Sequence, residues 1–229
     1  MILQSRTMGR LLAVLILGVA ALAGPPISAE AVTGGAQALP LVGVVPHLGG
    51  SHASAPTDAQ CRAALGVPCY SPQEIRRAYG LTGLLASGDN GRGQTIVIID
   101  SYGSPTVAAD LARFDADFGL PAPPSLKVLA PLGTVPFDAN DPTQAGWAEE
   151  TSLDVQWSHA MAPDARIVVM TSPVAETEGV QGLPQFLELE QYAVAHHLGN
   201  VISQSWAATE NSLLTPQGES LIVASLIVV

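Results

Sequence analysis

Glu150 and Asp154, four residues apart in the run Trp147-Ala-Glu-Glu150-Thr-Ser-Leu-Asp154, are the side chains in this sequence best placed to do chemistry. The pattern around them predicts a helix over about residues 145 to 160, stopped by Ala162-Pro163. On a helix that spacing puts both carboxyls on one face, with Cβ atoms about 5 to 6 Å apart. Two carboxyls so close resist simultaneous ionisation, titrate as a unit and hold one proton to higher pH, which suits general acid/base work. Like charges at this spacing also weaken a solvated helix, so the pair carries a cost unless something uses it. A plainer role fits the same residues, because acidic side chains near a helix N-terminus favour its dipole.

Other candidates are less pointed. His159 follows Asp154 by five residues and invites a metal-hydrolase reading with Glu150 and Asp154, yet no H-E-x-x-H pattern accompanies it, and a helix-end histidine is the favoured reading. His196 and His197 fall at a predicted helix C-terminus, where a protonated ring complements the dipole. Asp100 ends a buried strand, either on the edge where α/β sheets place ligands or as a cap for the next turn. The two cysteines, Cys61 and Cys69, lack the C-x-x-C spacing of a redox or metal pair and read as one small disulfide. By loop entropy such a bridge contributes roughly 2 to 3 kcal/mol, enough to pin a turn.

The elements that must position these residues alternate. Thr95 to Asp100 is a continuous apolar, β-branched run and predicts a buried parallel strand. A helix opens at Ser104-Pro105 and closes at Gly119, and short strands are predicted at 126–129, 166–170 and 201–205. A further helix covers 186–198, with Gly199 at its end, and residues 131–144 read as a Pro-, Gly- and Asp-rich loop. Strands alternating with helices predict a three-layer α/β fold with a mainly parallel sheet. Ordered structure is expected to begin near Ser71-Pro72-Gln73-Glu74, a capping box with proline at the first helical position. Residues 30–70 read as a linker or short pro-segment carrying the bridge, and 71–229 as the main domain.

The first 29 residues read as a secretory signal: Arg6 and Arg10 precede an apolar run from Leu11 to Ala23, too short for a bilayer, with cleavage expected after Ala23 or Ala29. Export and a secreted location follow as expectations. Twenty acidic against nine basic residues give a net charge of −11, which repels nucleic acid and anionic lipid, so neither nucleic acid nor, once the signal is removed, a membrane is an expected partner.

Four blocks in order, Thr95 to Gly103, Trp147 to Val155, Met161-Ala-Pro-Asp-Ala165-Arg-Ile167 and Ser203-Gln204-Ser205-Trp206, resemble the sedolisins, the serine-carboxyl peptidases. The E-x-x-L-D helix followed by A-P-x-A-x-I is the specific element, and the likeness spans about residues 61 to 210. It implies a subtilisin-like fold, with Glu150 as general base for a serine and Asp154 hydrogen-bonded behind it, in place of the usual histidine. It further implies hydrolysis of proteins or peptides in acid, with the backbone of Ser203, Gln204, Ser205 and Trp206 pairing with an extended substrate. Ala207 stands where glycine is usual in that family. The family's G-D-x-G loop and G-T-S serine turn do not occur in these 229 residues, and the apolar stretch from Ser220 to Val229 holds no nucleophile elbow. The expectation is therefore a serine-carboxyl endopeptidase by descent whose fold is incomplete at the C-terminus, with no hydrolysis by this chain alone. The family's calcium site belongs to the part not seen, so no metal or cofactor is assigned. The alternative is an exported module that binds peptides without cleaving them.

Overall fold

The computed structural model describes residues 55–176 and 182–205, all within one compact unit of the chain. The signal segment, Trp206, Ala207 and the apolar stretch from Ser220 onward lie outside the described residues.

Three short helices come first, α1 (Asp58–Leu65), α2 (Pro72–Ala78) and α3 (Leu81–Ser87). They are followed by β1 (Thr95–Ser101), α4 (Val107–Phe118), β2 (Leu126–Leu129), α5 (Pro142–Met161), β3 (Arg166–Ser172), α6 (Leu183–Ala195) and β4 (Val201–Ser203). The four strands form one sheet in the order β2-β3-β1-β4, every pair parallel. β1 and β3 are central and almost wholly buried, as two apolar β-branched runs require.

Side-chain alternation along these strands makes two cores. Val97 and Ile99 of β1 with Val168 and Met170 of β3 pack against Phe186, Leu189 and Ala193 of α6 and against Trp147. Ile98, Ile167 and Val169 turn to the opposite face and meet Val107 and Leu111 of α4 and Val155 of α5. Helices on both faces of a parallel sheet make the three-layer α/β architecture predicted from the alternation of elements.

Local chemistry explains most element ends. Ser71 accepts from the Glu74 amide while the Glu74 carboxylate takes the Ser71 amide at 2.8 Å, a complete capping box ahead of Pro72. Replacing Ser71 by alanine is expected to cost about 1 kcal/mol, read as a lower midpoint in urea; an unchanged midpoint would show that α2 needs no cap.

Ordered structure begins earlier than the sequence reading placed it. Thr57 and Gln60 form a second capping box, which starts α1 inside the stretch read as a linker, and α3 follows α2 after one left-handed glycine, Gly80. Cys61 and Cys69 are bonded, and Cys61 is fully buried. α5 starts at Pro142 rather than near Ala145, because Asp141 caps it through the amides of Thr143 and Gln144. α6 likewise begins at Leu183, ahead of the predicted Phe186, with Pro184 in its first turn, and it ends at Ala195. β4 stops at Ser203, two residues short of the predicted strand.

The N-terminal helices are joined to the body by Arg76 of α2. Its guanidinium donates to the Ala160 carbonyl in the last turn of α5, with Nε at 2.7 Å, placing a cation at the negative end of that helix.

Candidate active site

α5 carries Glu150 and Asp154 on the side that faces the sheet, next to the carboxyl end of β1. Glu150 is 3% exposed, and its Oε2 is buried without a hydrogen-bond partner. Asp154 is half-buried; its Oδ2 is likewise unpartnered, while Oδ1 accepts from the Ser205 hydroxyl at 2.8 Å. The i, i+4 spacing thus does what the helix geometry requires, and the two carboxyls share one environment.

Asp100 is the third acid of the cluster. It is fully buried, and neither of its oxygens has a hydrogen-bond partner. Thr151 of α5 faces it, but that hydroxyl is committed to the Trp147 carbonyl at 2.9 Å. From its place in the sequence, Asp100 is either a ligand-edge residue or a turn cap. The decisive signal is its parity: Ile96, Ile98 and Asp100 alternate onto one face of β1, and Ile98 packs against α4 and α5. Asp100 is therefore aimed under α5 rather than at the turn. That turn closes through left-handed Tyr102 (φ 62°) and Gly103 (φ 76°), where a Cβ on Gly103 would lie 2.7 Å from Thr171 Cγ2.

No positive charge enters the electrostatic surroundings of these acids among the described residues. Burial first, and then the charge of Asp154, pushes the Glu150 carboxyl up to about 7, partly offset by the Ser205 hydroxyl. Burial also raises Asp154, with Ser205 opposing it. Asp100 is driven well above the carboxylate range by burial, then by Asp154 and Glu150. Three carboxyls without a cation hold protons in common, and a carboxyl that exchanges its proton near neutrality is equipped for general acid/base work.

The other candidate residues fall in different places. Ser203 lies in β4 in register with Ile98 of β1, and β4 is the outermost strand on its side among the described residues. Gln204 turns away from the acids, its side-chain amide donating to Glu190 of α6. Among the described residues of that segment, Ser205 alone brings its side chain to the acid cluster. His159 is fully buried against α4: its Nε2 is 2.7 Å from the Pro121 carbonyl and 3.3 Å from Asp115 Oδ1. It therefore holds helices together and does not converge with Glu150 and Asp154, and among the described residues no group of three His, Cys, Asp or Glu is placed to hold a metal. His196 bonds the Tyr192 carbonyl through Nδ1 at 2.9 Å and stacks on the Tyr192 ring, a local helix-end arrangement. No helix among the described residues is long and apolar enough to cross a membrane.

No protein-family model matches this chain, and no curated protein matches it either.

Proposed function

We propose that this chain carries the acid/base half of a secreted serine-carboxyl endopeptidase site, with proteins or peptides as substrate. The observation that supports this best is the buried pair Glu150 and Asp154 with Asp100 beneath it: three carboxyls, no cation beside them among the described residues, and a proton held to near neutrality. In this reading Glu150, when ionised, removes the proton from a serine hydroxyl as its oxygen attacks the peptide carbonyl. It returns that proton to the amine as the C–N bond breaks, and water then releases the acyl group by the same route. With its carboxyl pushed up to about 7, Glu150 holds a proton through acid pH, so acting as base there requires the proton shared by the pair to move to Asp154. β4, the outermost strand on its side among the described residues, offers an extended peptide a parallel or antiparallel edge to join.

The test is to express the gene's full translation product and incubate it with an unfolded protein from pH 3 to pH 9, mapping internal cleavages by mass spectrometry. Internal cleavage at acid pH is expected. Cleavage confined to alkaline pH would overturn the reading, and stable peptide binding with no cleavage would establish the binding module in its place.

A further inference from the structure

Among the described residues the Ser205 hydroxyl is the one hydrogen-bond donor to the pair; it is near enough to lower the Glu150 carboxyl as well, but the bond it makes is to Asp154 Oδ1, at 2.8 Å. A hydroxyl has a single proton to give, and giving it to a carboxylate favours that carboxylate's charged form. We propose that Ser205 is a positioning residue that keeps Asp154 as the ionised member of the pair and leaves the shared proton on Glu150. Of the other acidic groups around it, Asp100 on β1 couples more strongly to Asp154 than to Glu150 and so opposes the hydroxyl, which outweighs it through direct contact, and Glu190 of α6 is engaged with the neighbouring Gln204. Thr151 and Ser152, between the two acids along α5, give their hydroxyls to Trp147 and Asp110 instead.

The position of Ser205 gives this choice a function. It sits two residues beyond the end of β4, on the edge a peptide would join. A peptide that draws the Ser205 hydroxyl to itself removes the donor from Asp154. The proton then passes from Glu150 to Asp154, and Glu150 becomes the free base. Occupancy of the binding edge thereby arms the base, and the resting site stays idle. This meaning rests on the peptidase reading, whereas the proton assignment stands on the geometry alone.

The experiment follows the side-chain carboxyl carbons of aspartate and glutamate by NMR in the 229-residue chain from pH 3 to pH 9. It compares Ser205→Thr with Ser205→Val, which have nearly equal volume and differ in the hydroxyl. The Asp154 midpoint is expected about one pH unit higher in the valine variant, a roughly tenfold gain in proton affinity, with Asp115 on α4 titrating identically in both. Coincident Asp154 midpoints would overturn the assignment. Should the valine variant not fold, Ser205→Ala against the unsubstituted chain reads the same difference. Hydrolysis is not measured, so an inactive protein leaves this result standing, and coincident midpoints leave the peptidase reading untouched.

Discussion

Replacing Glu150 by glutamine is expected to lower acid-pH peptide hydrolysis by the full translation product by about 10²- to 10⁴-fold, the usual worth of a positioned general base. Glutamine keeps the shape and length of the side chain but cannot take a proton at any pH of interest. The buried site therefore keeps its packing while the chemistry stops. Glu149→Gln supplies the control, because that neighbour points to solvent on the same turn of α5. Cleavage unchanged in Glu150→Gln would remove Glu150 from the mechanism, whatever the protein's activity. Equal loss in both variants would point to damage to α5 rather than to a lost base.

Stability should move with pH in the direction set by the same cluster. Glu150 binds its proton more tightly in the folded chain, at about 7 against about 4.5 when unfolded. Its contribution is therefore fully present below about pH 4.5 and is lost as pH rises through 7. At 1.36 kcal/mol per pKa unit the loss is on the order of 3 kcal/mol. Asp100, Asp154 and Asp115 are all raised by burial and act with the same sign. Glu74 and Asp141 act oppositely: their capping bonds hold their carboxyls low, so what they add is lost as pH falls. Both are surface groups, and their effect is small beside the buried acids. The melting temperature is expected to fall by roughly 6 to 12 °C between pH 4 and pH 8, measured by circular dichroism. Glu150→Gln should flatten that slope. A melting temperature that is level or rises over this range would mean the acids are not buried together.

Much of this arrangement can be read from the chain because its determinants are local. The β-branched run at 95–100, the Ser71 capping box and the i, i+4 acids each fix their geometry within a few residues. What escaped was of two kinds. The capping box at Thr57 and Gln60 and the Asp141 cap ahead of Pro142 were equally local, but they sit in stretches whose Ala, Gly and Pro content reads as loop. The role of Asp100 and the orientation of Ser205 are nonlocal. Asp100 meets α5 only because β1 lies beneath that helix, and Ser205 reaches Asp154 across 51 residues of sequence. Spacing can place two carboxyls on one helix face, but a partner from another element becomes visible only when the sheet is assembled.

The contact between Arg76 and Ala160 bears on how the protein withstands trimming of its front end. Because α2 grips the last turn of the helix that carries both acids, a protease cut ahead of residue 56 would leave that grip intact. A cut just after Arg77 would leave it only non-covalently attached, and α5 would lose the cation that steadies its C-terminal end. The stretch from α1 to α3 is thus better regarded as a buttress of the acid-bearing helix than as a leader to be shed.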